Sequence, residues 1–336
     1  MPRNVFKKVL RIILLMMALA VVSCVGVADD YVEIRGEALG TFVQIKCRTA
    51  LPEEELVAMV SRVDAEAKES MSIFNPESLL SRVNRNETDS IDRHIAFNVE
   101  LARRFSELSG GAYDITIKPL TDAWGFGREV AERRPNVDSL LEFVGYRNIA
   151  IDGGRLVKSD SRTEVDLNSI AKGYTVDLVA EELEALGVVD YMVNIGGEVR
   201  TRGLNPAGRA WSIGIETPYE GNMAQDSLEK IILLGDEAVA TSGNYRRYYL
   251  TDDGHKVAHT IDPITGLSVI SELLSVTVVA PTCAEADAAA TMFLAMGSTD
   301  ECLALAKRCE QEMGWRYYFI YADKEDYRVE CSDDFR

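Results

Sequence analysis

Two hydrophobic periods alternate along this chain. From Tyr31 to Cys47 apolar and polar residues alternate at a period of two, broken at Gly40-Thr41, which predicts strand. Glu53 to Glu69 carries Leu56, Met59, Val60 and Val63 at helical spacing, an amphipathic helix. Met71 to Ser78 is a turn punctuated by Asn75-Pro76, and Ser78 opens a short helix with Leu79, Leu80 and Val83 on its apolar side. Ile95 to Ser109 is a further helix, closed by Gly110-Gly111. Strand-like alternation over Gly111 to Leu120 stops at Pro119 and gives way to an aromatic–glycine loop, Trp124-Gly125-Phe126-Gly127. Arg128 to Asp138 is charged and proline-containing, which reads as a flexible loop, and Leu156 to Leu167 predicts two short strands.

The stretch Thr163 to Tyr174 reads as a strand handing over to a helix. Asn168 or Ser169 supplies the cap oxygen, Ile170, Tyr174, Leu178, Val179, Leu183 and Leu186 repeat at helical spacing, and Gly187 is the stop. Tyr191 to Glu198 is a strand ending in the Gly196-Gly197 turn, so strand, helix and strand form a βαβ-like unit. Trp211 to Glu216, Lys230 to Leu234, Ala238 to Asn244, Leu274 to Ala280 and Arg316 to Ala322 are further strands. Tyr245 to Leu250 and Lys256 to Ile261 flank Asp252-Asp253-Gly254, a hairpin signal. Ala284 to Gly297 and Thr299 to Glu312 are helices. The expected fold class is α+β: mixed sheets with packed helices.

At 336 residues the chain can bury a large core, and 47% hydrophobic with 27% charged residues is ordinary for a globular protein. A formal net charge of −18 with no basic stripe argues against nucleic acid as a partner. Arg3, Lys7, Lys8 and Arg11 precede a short apolar run, Ile12 to Val22, as in a targeting signal. Val21-Val22-Ser23-Cys24 looks like a lipobox, so residues 1–23 are expected to be removed and Cys24 to carry lipid, followed by a linker over 24–32 and one domain over 33–336. The mature chain would carry 32 basic against 54 acidic residues, so a lipid anchor rather than a basic patch would hold it to a membrane. Of the six cysteines, five remain after lipidation, with no Cys/His spacing that suggests zinc; they read as packed core thiols.

Two segments carry candidate chemistry. A hydroxyl, Ser169, and a lysine, Lys172, stand in the first turn of a helix, where free N–H groups and the helix dipole favour an anion, phosphate above all. The glycine-rich loop of a P-loop is missing before that lysine. Asp287 and Thr291, four residues apart on an otherwise apolar helix, put two oxygens on one face, roughly 6 Å apart at Cβ. An oxygen-only pair of this kind suits Mg²⁺, which keeps open positions for substrate phosphates. Among the three histidines, His259 abuts a polar strand-to-turn junction, while His94 and His255 lie in polar sequence and receive no role.

These pieces, in this order, resemble the ApbE family of flavin transferases. The matching residues are Gly40-Thr41, the Met71-to-Asn84 turn, Tyr113-Asp114-Ile115-Thr116 with Pro119-Leu120, and Trp124 to Gly127. They continue with Asp166-Leu167, Ala171-Lys172-Gly173, Asn194 to Gly197, Thr241-Ser242-Gly243, His259, Asp262-Pro263, Thr265-Gly266, and Asp287 with Thr291. The resemblance implies a T-fold-like, two-lobed architecture with FAD in the cleft. It implies an enzyme that cleaves the pyrophosphate of FAD, attaches FMN through its phosphate to a Thr or Ser of a target flavoprotein, and releases AMP. Hydrolysis of FAD to FMN and AMP, or both activities, is the alternative; a non-catalytic flavin-binding lipoprotein is the second. By position, Asp287 and Thr291 would bind Mg²⁺ with the hydroxyl or backbone at Ser169 or Ala171, Lys172 would steady the phosphates, and Asp166 would contact the nucleotide. His259 is the candidate general base, and Leu39, Phe74, Ala112, Tyr113, Asp114 and Ile261 would line the FAD site. The family's envelope lipoproteins imply a domain anchored to the inner membrane and facing the periplasm. Phe74 followed by Asn75, Ala290 before Thr291, and Asn244 depart from the pattern and bear on ring stacking, ion grip and the balance of transfer against hydrolysis. All of it requires the Asp287 carboxyl to lie at the amino end of the helix that carries Lys172.

Overall fold

A computed structural model describes residues 31–127, 135–218, 227–244, 248–250, 256–324 and 326–335. The leader at residues 1–23, Cys24, most of the linker, His255 and the Asp252-Asp253-Gly254 turn lie outside the described residues. In chain order the elements are β1 (Tyr31–Ala38), β2 (Thr41–Arg48), α1 (Glu53–Met71), α2 (Leu79–Asn84), α3 (Arg93–Leu108), α4 (Lys118–Ala123), α5 (Val137–Leu141), β3 (Ile149–Asp152) and β4 (Arg155–Lys158). There follow α6 (Ala171–Ala185), β5 (Tyr191–Ile195), β6 (Glu198–Arg202), β7 (Trp211–Glu216), β8 (Leu228–Leu234), β9 (Ala238–Gly243), β10 (Tyr248–Leu250) and β11 (Lys256–Ala258). The chain closes with β12 (Leu273–Ala280), α7 (Cys283–Met296), α8 (Asp300–Met313), β13 (Arg316–Asp323) and β14 (Asp326–Cys331).

An eight-stranded sheet in the order β1-β2-β5-β6-β9-β12-β13-β14 forms the frame, with every neighbouring pair antiparallel. Alternation at a period of two sends successive side chains to opposite faces. Val276 and Val278 of β12 with Tyr317, Phe319 and Tyr321 of β13 join the helical core, whereas Val279, Tyr318 and Ile320 join the cluster under the β7–β8 ribbon. The sheet is thus covered by helices on one face and by that ribbon on the other. A smaller lobe gathers Leu120, Trp124, Val257 and Ile261 with flanking Phe126, Val137 and Tyr249. Trp124 Nε1 ties it together by donating to the Gly266 carbonyl at 2.8 Å.

Several expectations change. The segment Thr163–Leu167 pairs in no ladder, and no parallel pair exists among the described strands, so the βαβ-like unit is absent. Between Leu156 and Leu167 strand ends at Lys158. The Gly111–Leu120 alternation folds instead as a turn of 3-10 helix at Ile115–Ile117 running into α4, because Asp114 caps Thr116 N–H and Pro119 sits where helix tolerates it best, in the first turn. Of the loop expected over Arg128 to Asp138, residues 128–134 lie outside the described residues, and α5 begins at Val137 within it. β14, which charge masks in the sequence, extends the sheet past β13. His94 lies in polar sequence but is itself buried, with Nδ1 3.0 Å from the Tyr174 hydroxyl. β3 forms where no strand is expected, residues 245–247 of the expected Tyr245–Leu250 strand lie outside the described residues, and β11 ends at Ala258, short of Ile261; the other elements form close to where the periods place them. Cys47, Cys283, Cys302, Cys309 and Cys331 are free thiols, and the first four are buried.

Candidate functional site

Helix α6 begins without the cap its sequence advertises. Neither Asn168 nor Ser169 accepts an N–H of its first turn; the Ser169 hydroxyl lies 2.9 Å from the Tyr113 hydroxyl, and the Asn168 N–H donates to Asp166 at 2.8 Å. The first-turn donor at Gly173 is met instead by a carboxylate from another helix: Asp287 Oδ2 accepts it at 2.9 Å. The geometric requirement set by the sequence is therefore met, one residue beyond Lys172. The approach depends on Gly173, where a Cβ would stand 2.3 Å from the Cys283 carbonyl oxygen and 2.7 Å from Asp287 Cβ.

Charge at this junction is unbalanced. Lys172 Nζ lies 2.6 Å from Glu198 Oε2, at the start of β6. Glu198 and Asp287 are both buried. Burial, then repulsion from Glu198, pushes the Asp287 carboxyl up to about 8 against the pull of Lys172 and the Gly173 N–H. Burial likewise raises Glu198. Burial works against the Lys172 charge, but Glu198 and Asp287 hold its pKa above the ordinary value. Two buried carboxyl groups thus face one ammonium, so without a further cation the Asp287 carboxyl keeps its proton near neutral pH, and a bound cation would displace that proton.

The oxygen donors suit a hard cation. Asp287 offers a carboxylate, Thr291 a hydroxyl 3.0 Å from Ser242 Oγ, Ser169 a hydroxyl and Ala171 a carbonyl that already accepts from Thr175 at 2.7 Å. Hydroxyl and carbonyl oxygens carry two lone pairs, so each keeps acceptor capacity. Among the described residues no cluster of three or more His, Cys, Asp and Glu side chains could hold a metal. A cation here would accordingly need oxygens from a substrate or water, as Mg²⁺ commonly does. Ala290 is fully buried in the helix core and adds no donor.

The other candidates lie on other elements. Asp166 is half-buried, and burial pushes its carboxyl up to about 6 while the Asn168 N–H opposes the shift. Tyr113 is buried, whereas the Asp114 carboxylate is consumed by the N–H and hydroxyl of Thr116, both at 2.7 Å, and by the Tyr146 N–H. Asp114 therefore shapes the bend that presents Tyr113 and half-buried Ala112, beside a surface depression lined by Gly111, Gly145, Tyr146 and Pro263. Leu39 turns the β1–β2 hairpin at φ 52°, its N–H donating to Asp64 at 2.7 Å. Phe74 is 54% exposed on a loop that Ser72 ties down, a free aromatic face. His259 is half-buried and meets Phe126 edge-on, with centroids 6.3 Å apart, while Ile261 is buried in the smaller lobe. Asn244 accepts from the Thr260 hydroxyl and so anchors the residue after His259.

The structure thus brings Tyr113, Ser169, Lys172, Gly173 and Asp287 into one contact chain, with Thr291 one turn along α7. Leu39, Phe74, His259 and Ile261 stand on other elements, and no hydrogen bond among the described residues joins them to that chain. Sequence reading missed Glu198 and Asp177. The signals were there: an acid opening the strand that follows Gly196-Gly197, and an acid on the apolar stripe of α6 three residues after Tyr174.

The ApbE family model matches residues 39–315. The FAD:protein FMN transferase of Vibrio cholerae serotype O1 is 37% identical over 281 residues, covering 80% of this chain and 82% of its own. That of Haemophilus influenzae is 35% identical, with 88% and 89% covered. The solved structure of the flavin transferase ApbE from Vibrio cholerae superposes with a TM-score of 0.79 at 33% identity, covering 91% of this chain and 98% of that one.

Proposed function

The chain belongs to the ApbE family, and from that premise we propose that it is a FAD:protein FMN transferase. The observation that carries the reading is the Asp287–Gly173 contact, which joins two sequence-distant segments into one site at a helix start. In the proposed reaction a Thr or Ser hydroxyl of a target protein attacks the phosphorus of the FMN half of FAD. A new P–O bond forms, the bond from that phosphorus to the bridging oxygen breaks, and AMP leaves with the bridging oxygen. Positioning and charge neutralisation supply most of the catalysis in such a transfer. The start of α6 offers its dipole to the diphosphate, and Lys172, held by Glu198, lends a cation beside it. His259 is proposed to take the hydroxyl proton, and Asp166 to contact the nucleotide. Phe74 and Tyr113 would flank the flavin side of the site.

Asp287, Thr291, Ser169 and Ala171 would hold Mg²⁺, which when bound neutralises phosphate charge. Hydrolysis of FAD differs only in that water replaces the target hydroxyl. Incubation of the protein with FAD and Mg²⁺, with and without a target carrying a Thr flavinylation motif, tests the reading by mass spectrometry. Flavin-labelled target together with AMP is the expected product; the appearance of neither, with FAD intact after hours, leaves a flavin-binding protein. Asp287→Ala is expected to abolish turnover, and an unchanged rate removes the ion assignment.

We propose further that the domain is anchored by lipid on Cys24 to the inner membrane and works at the periplasmic face. The lipobox-like Val21-Val22-Ser23-Cys24 supports this reading. Among the described residues no helix is long and apolar enough to cross a membrane.

A further inference from the structure

Helices α6 and α7, more than a hundred residues apart in the chain, hold each other by their first turns. Asp287 of α7 accepts the Gly173 N–H of α6, and in return Asp177 of α6 accepts the N–H groups of Cys283 and Ala284, the first two residues of α7, at 2.9 and 2.8 Å. Each carboxylate occupies the positive end of the other helix. The third donor of α7, Glu285 N–H, goes to the ordinary cap, Thr282, at 3.3 Å. Asp177 is only 5% exposed, and Arg200 of β6 balances it at 2.8 Å. Arg200 stands two residues from Glu198 on the same strand, so one strand carries the counter-charges of both helix starts.

A buried carboxylate is a costly way to cap a helix when neutral side chains serve. What it adds is rigidity: two N–H groups and a guanidinium converge on one carboxylate and fix where α7 begins. Asp287 sits one turn further along α7, and with no Cβ at position 173 between the helices, a shift of that turn transfers directly to the Asp287–Gly173 contact.

We propose that Asp177 is a positioning residue for the flavin transfer proposed above, on which this inference rests, holding α7 in the register that keeps the Asp287 carboxylate on the amino end of α6. It makes no hydrogen bond to Lys172 or Ser169; its contacts with α7 are to the backbone N–H groups of Cys283 and Ala284, and its charge adds a smaller repulsion on the Asp287 carboxyl.

Two variants test it. Asp177→Asn leaves one acceptor oxygen for two N–H groups, and Asp177→Glu keeps the charge for Arg200 but displaces both oxygens by a methylene. Both are expected to lower kcat about tenfold with KM for FAD changed less than about threefold, the pattern of a misplaced reacting group. In the same proteins the Gly173 amide should exchange hydrogen about tenfold faster than in wild type, while exchange in the central strands is unchanged. Thr282→Ala, which removes the ordinary cap of the same helix, is the control for a merely structural role and should leave kcat and Gly173 exchange as they are. Wild-type kcat and Gly173 exchange in whichever Asp177 variant folds overturns the proposal, and so does an equal kcat loss in Thr282→Ala. If the wild-type protein transfers no flavin, the functional reading fails separately, and Gly173 exchange alone decides whether Asp177 sets the register.

Discussion

The chemistry of Asp287 depends strongly on its surroundings. Its carboxyl is pushed up to about 8 from 3.8, first by burial and then by Glu198. In the unfolded chain it ionises from about pH 4 upward, whereas in the fold it keeps its proton until about pH 8. The unfolded state therefore binds fewer protons between those limits, and without a cation the stability falls as pH rises through them. Thermal melts of the metal-free protein should show that decline, and Asp287→Asn should flatten it. Adding Mg²⁺ should raise the midpoint of wild type more at pH 8 than at pH 5, because the cation competes with the proton. A slope unchanged in Asp287→Asn would assign it elsewhere. At this scale the sequence was informative about residue type and silent about partners. Asp287 and Thr291 stood out as oxygens on an apolar helix, but Glu198, which raises the one, and Ser242, which meets the other, are neighbours only in space.

At the scale of elements, the packing of α6 on α7 is the contact that makes the site. Gly173→Ala would normally favour a helix by about 1 kcal/mol. Here the added Cβ meets a backbone carbonyl oxygen at 2.3 Å, and a carbonyl cannot rotate away as a side-chain tip can. Overpacking costs typically about 1–3 kcal/mol, so the clash outweighs the propensity gain and the helices separate. Gly173→Ala is expected to melt at a lower temperature and to lose most FMN transfer; a variant as stable and active as wild type would show that the close approach is unnecessary. Helix periods were legible wherever one stripe is buried, as in α1 and α6, and stops such as Gly187, at φ 84°, were legible because only glycine takes that conformation freely. The Gly111–Leu120 stretch misled for a physical reason. Its alternation of apolar and polar residues satisfies either period over so few positions, and the Asp114 cap, with partners at 116 and 146, decided for a turn.

For the whole molecule, the antiparallel order of the sheet places the start of β6 beside β9 and near the starts of α6 and α7, which is why residues drawn from positions 113 to 291 converge. The acidic surface, net −18 over the chain, makes an electrostatic hold on an anionic membrane unfavourable, so attachment would rest on lipid at Cys24. Cys24→Ser is therefore expected to move the protein from the membrane fraction to the soluble fraction of fractionated cells; retention in the membrane would remove the anchor proposal.

By itself the sequence determined which segments coil or extend, which glycines turn the chain, and which oxygens and cation are available for phosphate and metal. Those properties are local: period, cap and backbone freedom act within a few residues. Only the tertiary structure decided that a carboxylate from α7 would cap α6, that Glu198 would claim Lys172, and that Asp177 would return the favour to α7. Each of those pairings is set by the close approach of buried elements in a medium that leaves no donor or charge to water, and no window of sequence contains both partners.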